Sequence, residues 1–169
     1  EAAAYAKSKG TSLFEMLDEI YSQIGYYATA NKPLPRVGAF FGSSGKEKKI
    51  RLLQTAQDWL QRANEASKTP TPFKLAGREV IGAVQWQSGR YDGQHYGGFP
   101  DEGVRFFFHD PALQPDADFT QSRNYITIRP SGTSQTIRFY TQFFSAINPG
   151  DNIAELKNTR EKEALDAAL

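Results

Sequence analysis

The sequence predicts an α+β fold, in which a mainly antiparallel sheet of about four strands is packed by helices. Segments rich in β-branched and aromatic residues lie close together between residues 79 and 144, and short or irregular connections join them. Helix-favouring segments precede and follow this group instead of alternating with its strands. Because parallel strands need long crossover connections, which are usually helices, this order favours antiparallel pairing.

Two short helices are predicted at the amino-terminal end. Residues 1–9 are Ala-rich, and Gly10 suits the position that follows a helix. Ser12 and Glu15 form a capping-box pattern, after which apolar residues recur at helical spacing as far as Gly25. Helices divided by one glycine enclose no core of their own, so this segment needs a partner. The first residue is not methionine, and we expect the chain to be part of a longer protein.

The rest of the chain divides into a linker, a long helix, the strands and a terminal helix. Residues 28–44 contain two prolines and two glycines and are predicted as a linker. A second capping-box pattern, Ser44 with Glu47, opens a helix over residues 46–66 that should pack on one face of the sheet. The predicted strands are 79–86, 104–109, 125–129 and 137–144, with loops at 88–100 and 110–122 and a charged helix at 153–169.

Composition limits the classes of protein to which the chain can belong. With 169 residues, of which 39% are hydrophobic, it is long and apolar enough for one folded domain. The sequence has no cysteine, which excludes disulfides and thiolate sites, and no apolar run of ~20 residues that would span a membrane. Its 20 Lys and Arg nearly balance its 19 Asp and Glu. We therefore expect a cytoplasmic protein with no nucleic-acid and no membrane partner.

The run Arg-Pro-Ser-Gly-Thr at residues 129–133 has the composition of an anion-binding loop. The proline stiffens the turn, and the glycine gives the backbone the freedom to direct successive N–H groups at an anion. The two hydroxyls are further donors, and arginines in the loop and in the next strand match phosphate oxygens. The residues predicted to hold a phosphate are Arg129, Ser131, Gly132, Thr133 and Arg138.

The charge around this loop is locally positive although the whole chain is nearly neutral. Residues 119–150 contain no Asp or Glu, yet they include Arg123, Arg129 and Arg138. A basic loop in a neutral chain indicates a small anionic ligand rather than a polyanion. An ordinary hairpin with solvated arginines is the alternative that the spacing leaves open.

The serine, histidine and acidic residues that could act in catalysis or metal binding are better explained by structural roles. A nucleophilic Ser131 lacks the Gly-x-Ser-x-Gly elbow, and the chain has only His95 and His109 to act as its base. These histidines also lack the helical spacing of a metal-binding pair. We therefore predict no catalytic residue and no metal ligand in this chain. The acids that could form a catalytic pair are expected to be solvated loop residues: Asp101 with Glu102, and Asp116 with Asp118.

Two groups of side chains have both a binding and a structural interpretation. Aromatic residues of the Gly-rich loop could line a sugar pocket, although such residues more often pack a long loop against its sheet: Tyr91, Tyr96 and Phe99. Basic residues of the long helix could bind nucleic acid, although the Gln and Glu in that helix favour a solvated face: Lys46, Lys48, Lys49 and Arg51.

The runs Arg129-Pro130-Ser131-Gly132-Thr133 and Ile137-Arg138-Phe139-Tyr140 resemble the carboxyl-terminal phosphate-binding loop of the phosphoglucomutase/phosphomannomutase family, the α-D-phosphohexomutases. Residues 10–27 resemble the helix that closes the third domain of that family, and residues 77–80 are similar to the first strand of its fourth domain. The resemblance covers roughly residues 1–145.

The resemblance implies that the chain is the fourth domain of such an enzyme together with the end of its third domain. Residues 1–27 would be the helical remnant, 28–44 the linker, 45–150 the phosphate-binding domain and 151–169 a helical tail. The family interconverts hexose 1- and 6-phosphates, and its fourth domain holds the phosphate that is not transferred. Its phosphoserine, its Mg²⁺-binding aspartates and its sugar-selecting loop lie in earlier domains. This chain alone would then be inactive, with a hexose phosphate and the preceding domains as its partners.

The loop departs from the commonest family pattern after Thr133. Many members continue with Glu-Pro-Lys, whereas this chain has Ser134-Gln135-Thr136, so we assign no phosphate contact to these positions. The alternative function is a freestanding module that binds a phosphorylated ligand or partner through the same loop. Residues 1–27 argue against this alternative, because a freestanding module would not need part of a preceding domain.

Overall fold

The computed structural model describes residues 1–35, 38–66, 72–90 and 96–168, in which one antiparallel sheet is flanked by helices. The strands are β1 (Tyr26–Leu34), β2 (Lys74–Leu75), β3 (Arg78–Trp86), β4 (Gly103–Phe108), β5 (Tyr125–Pro130) and β6 (Ile137–Ser145). The helices are α1 (Ala2–Ser8), α2 (Leu13–Ile24), α3 (Gly42–Ala66) and α4 (Ile153–Ala167), and a 3-10 turn covers Phe119–Gln121. The strand order is β1-β6-β5-β4-β3-β2, and every neighbouring pair is antiparallel. The predicted α+β class is confirmed.

The core lies between one face of the sheet and the helices α3 and α4. Val104, Phe106 and Phe108 on β4 are at most 2% exposed, as their alternation predicted. The Thr141 hydroxyl on β6 donates a 2.8 Å hydrogen bond to the Ala164 carbonyl, which fixes α4 on the same face. The helix α3 contributes apolar residues that are buried at helical spacing: Leu53, Ala56, Leu60 and Ala63.

The prediction of a linker over residues 28–44 is wrong at both ends, because Tyr26–Leu34 forms the edge strand β1 and α3 begins at Gly42, before the predicted Ser44 cap. This strand pairs with β6 from Tyr26 opposite Ser145 to Leu34 opposite Ile137. Proline lacks a backbone donor but is tolerated on an edge strand, so Pro33 does not interrupt β1. The sheet therefore has six strands in the described residues instead of about four. The division of the chain into domains remains a prediction.

The amino-terminal helices begin and end where the sequence predicted. In the capping box, the Glu15 amide donates to the Ser12 hydroxyl at 3.2 Å, and the Ser12 amide donates to the Glu15 carboxylate at 2.7 Å. The helix α2 contains no buried residue, and its Phe14 is 78% exposed. Tyr21 of α2 packs against the core, and the partner expected for the exposed apolar residues of this helix remains a prediction. Among the described residues, none of the helices has both the length and the hydropathy to span a bilayer.

Candidate anion-binding site

The predicted loop joins β5 to β6, and the register of these strands sets two arginines opposite each other. Arg129 pairs directly with Arg138. Residues that face each other across antiparallel strands have their side chains on the same side of the sheet. Two guanidinium groups are thus held close together beside the loop. Because like charges in opposed positions destabilise a sheet, this pair has a functional explanation if an anion lies between them.

The loop forms one wall of a cavity of about 310 Å³. The lining residues combine cationic groups, hydroxyls, backbone amides and two carboxylates. They include every residue that the sequence predicted for phosphate binding. The lining is Arg90, Tyr96, Asp101, Glu102, Arg129, Pro130, Ser131, Gly132, Thr133, Arg138 and Tyr140.

The two opposed arginines differ in their partners. The Arg129 guanidinium forms a 2.7 Å ion pair with the Glu102 carboxylate, and both side chains are partly exposed. Arg138 has no ion pair or hydrogen bond from its side chain within the described ranges. Arg138 is therefore free to bind a ligand, whereas Arg129 has a carboxylate partner with which an anionic ligand would compete.

A glycine at the start of β4 brings Glu102 to Arg129. Gly103 has a φ of +101°, and a Cβ at this position would lie 2.4 Å from the Ile128 carbonyl oxygen. Any side chain here would force β4 away from β5, so the close approach of the two strands depends on glycine. The sequence prediction missed the Glu102–Arg129 pair because its members are far apart in the chain and meet only through strand pairing.

Hydrogen bonds within the loop hold it in one shape. The Ser131 amide donates to the Thr136 carbonyl at 3.0 Å, and the Phe40 amide, from the segment before α3, donates to the Gln135 carbonyl at 2.7 Å. The Ser134 hydroxyl donates to Ser131 Oγ at 2.6 Å and lies 2.7 Å from Thr136 Oγ1. Ser134 and Thr136 thus brace the loop, and Ser131 Oγ, which accepts here, keeps its own proton for a ligand.

Two backbone amides of the loop are available to a ligand. In the part of the chain that the structure describes, the N–H groups of Gly132 and Thr133 form no hydrogen bond. Both residues line the cavity. Adjacent unpaired N–H groups in a braced turn form a concave donor site for an anion.

Lys49 contacts the loop from α3, contrary to the expectation that it lies on a solvated face. Its side chain is 4% exposed, and its Nζ donates a 3.1 Å hydrogen bond to the Ser131 carbonyl. The other basic residues of that group, Lys46, Lys48 and Arg51, are exposed as predicted. Lys49 precedes Leu53 by one helical turn, so its position on the apolar face of α3 was a signal that the sequence contained.

The remaining candidates have structural positions or lie outside the described residues. Phe99 and Tyr96 are 2% and 3% exposed, so both pack inside the protein, and Tyr96 also borders the cavity. Asp101 accepts hydrogen bonds from the amide and the hydroxyl of Ser88. Although its burial acts in the opposite direction, these hydrogen bonds hold the pKa of Asp101 below its ordinary value. The other candidates are exposed, namely His109, Asp116 and Asp118, or lie outside the described residues, namely Tyr91 and His95.

The described residues contain no cluster of three or more His, Cys, Asp or Glu side chains that could hold a metal ion. They also contain no base next to Ser131, since its Oγ contacts only Ser134. The cavity is therefore equipped to bind an anion by hydrogen bonds and charge.

Comparison with known proteins shows only weak structural similarity. No protein-family model matches the sequence, and no match is found among curated proteins. The chain is similar to the crystal structure of the exocytosis-sensitive phosphoprotein pp63/parafusin, a phosphoglucomutase from Paramecium, in its open form. The identity is 18% and the TM-score is 0.42, over 95% of this chain and 25% of that one. This chain thus spans about a quarter of that chain, and a likeness this weak carries no functional assignment by itself.

Proposed function

We propose that this chain binds the phosphate group of a phosphosugar, as the phosphate-binding domain of a phosphohexomutase. The observation that carries the proposal is the convergence, in one cavity, of the opposed Arg129 and Arg138 with the unpaired amides of Gly132 and Thr133. A guanidinium group gives paired donors that match phosphate oxygens, and backbone amides add donors in fixed positions.

The site is suited to hold a phosphate and not to transfer it. Phosphoryl transfer needs a nucleophile or an acid–base group beside the phosphorus, and the braced loop provides only donors. In the resembling family the fourth domain has this passive role. Binding energy at the unreactive phosphate then orients the other end of the substrate and favours closure of the domains around it.

The Mg²⁺ that the resemblance implies does not fit the residues of this chain that the structure describes. Mg²⁺ requires several oxygen ligands, and the described part of the chain has no cluster that supplies them. The two carboxylates of the cavity have other partners: Asp101 accepts from Ser88, and Glu102 pairs with Arg129. We assign the metal to the preceding domains of the parent enzyme, and nothing in the binding proposed here depends on it.

An NMR titration of the 169-residue chain with glucose 1-phosphate tests the proposal. We expect the amide resonances of Gly132 and Thr133 to shift first, with weak affinity, because the domains that would close over the sugar are absent. No turnover to glucose 6-phosphate is expected, with or without Mg²⁺. Shifts confined to residues 96–99 would contradict the loop assignment, and turnover by this chain would contradict the passive role.

Replacing Glu102 by glutamine is expected to strengthen phosphate binding. The wild-type carboxylate competes with the ligand for Arg129 at 2.7 Å, and the neutral amide competes less. Because partly exposed ion pairs contribute about 0.2–1 kcal/mol, the expected gain in affinity is about 1.4- to fivefold. The measurement is the dissociation constant for inorganic phosphate at fixed ionic strength. Asp116→Asn, which removes an exposed carboxylate outside the cavity, is the control. Weaker binding by Glu102→Gln would show that Glu102 helps to hold the ligand.

A further inference from the structure

Lys49 is a buried cation beneath the loop, and its charge has no counter-ion in the described residues. Its Nζ has the Ser131 carbonyl at 3.1 Å and the centre of the Tyr96 ring at 5.2 Å. No carboxylate within residues 1–35, 38–66, 72–90 and 96–168 forms an ion pair with it. Burial lowers the pKa of Lys49, because removal from water disfavours the charged form. A lysine in this position weakens the fold unless its charge has another use.

The hydrogen bond from Lys49 sets the direction of the peptide group that joins Ser131 to Gly132. This peptide is trans, and the C=O and N–H of a planar trans peptide point in opposite directions. Because the carbonyl is directed at the ammonium group, the Gly132 N–H points away from it. This N–H is one of the two unpaired amides of the loop, and Gly132 lines the cavity.

We propose that Lys49 is a positioning residue of the anion site. Lys49 holds the Ser131–Gly132 peptide so that the Gly132 N–H is directed at the ligand, and the bound anion balances the charge of Lys49. The inference rests on the proposed function and adds to it a residue that acts from α3 without touching the phosphate. An apolar side chain of similar length would fill the same space beneath Tyr96 at a lower cost of desolvation. The lysine is therefore explained by binding and not by packing.

The variant Lys49→Met separates these roles, since it keeps the length of the side chain and removes the donor and the charge. We expect its melting temperature to equal or exceed that of the wild type, because an unpaired buried charge is lost. Its affinity for inorganic phosphate should fall about tenfold, and the shift of the Gly132 amide at saturation should become smaller. Lys49→Arg, which keeps a charged donor, should retain most of the affinity.

Lys48→Met is the matched control, because it removes the same charge from the neighbouring, exposed position of α3. An equal loss of affinity in Lys48→Met and Lys49→Met would indicate a general effect of charge and would overturn the proposal. Unchanged affinity in Lys49→Met would overturn it as well. If Lys49→Met does not fold, Lys49→Gln takes its place in the same comparison. A wild-type chain that fails to bind phosphate would instead refute the proposed function, so the two failures are distinguishable.

Discussion

Replacement of Arg138 by methionine is expected to reduce the affinity for inorganic phosphate and for glucose 1-phosphate by about 10- to 100-fold. Arg138 lines the cavity and its side chain has no protein partner among the described residues, so all its donors are available to the ligand. Hydrogen bonds to charged groups contribute about 1.5–3 kcal/mol, which corresponds to this range of affinities. The dissociation constants are measured by NMR titration of wild type and variant in the same buffer.

The same substitution should leave the stability of the fold unchanged or raise it slightly. Arg138 lies opposite Arg129 in the sheet, and removal of one of two opposed like charges relieves their repulsion. A variant that binds less and melts no earlier is typical of a residue retained for function. Arg51→Met is the control, because it removes an arginine whose side chain is 78% exposed on α3. Wild-type affinity in Arg138→Met would exclude Arg138 from the site.

The sequence predicted the part of the site that is local in the chain. The loop residues and Arg138 belong to the same β-hairpin. Their residue types and their spacing in the sequence are therefore enough to predict that they meet. Glu102 comes from the residue before β4 and reaches Arg129 only because β4 pairs with β5 from Val104 opposite Ile128. No local pattern contains that information. Lys49 is an intermediate case, since its place on the apolar face of α3 was visible but its contact with the loop was not.

The sequence also predicted the class of the fold but not the extent of the sheet. The central strands β4, β5 and β6 are rich in β-branched and aromatic residues, which made them recognisable. The edge strand β1 contains asparagine and proline, residues that are typical of loops. Its place in the sheet is decided by pairing with β6 over its whole length, which is a tertiary property. Edge strands are thus the elements for which local preference is least informative.

At the other end of β5, an ion pair joins Asp110, which follows β4, to Arg123, which precedes β5. The Asp110 side chain is 2% exposed and accepts from Arg123 Nε at 2.7 Å and Nη2 at 2.9 Å. Its carboxylate also accepts from the Ala112 amide at 3.0 Å. The Arg123 guanidinium is stacked on the Phe144 ring at 3.3 Å. The pair therefore links the end of β4 to β6 as well as to β5.

Replacing Asp110 by asparagine is expected to lower the free energy of unfolding by about 3 kcal/mol at neutral pH. The asparagine amide leaves Arg123 without a counter-ion. The expected loss of stability lies at the lower end of the range for broken buried ion pairs, because the Arg123 side chain is 28% exposed. Chemical unfolding of variant and wild type measures the difference. Glu47→Gln breaks the exposed Glu47–Arg51 pair and should change stability by less than about 1 kcal/mol.

The loss of unfolding free energy caused by Asp110→Asn should also disappear at low pH. The hydrogen bonds from Arg123 lower the pKa of Asp110 in the folded protein, against the opposing effect of burial. A carboxyl group whose pKa is lower in the folded than in the unfolded chain stabilises the fold fully above its unfolded pKa. That contribution is lost as the pH falls through the lower, folded-state pKa. The unfolding free energies of wild type and Asp110→Asn should therefore converge at low pH, and a difference that stays constant with pH would show that the variant acts through packing and not through charge.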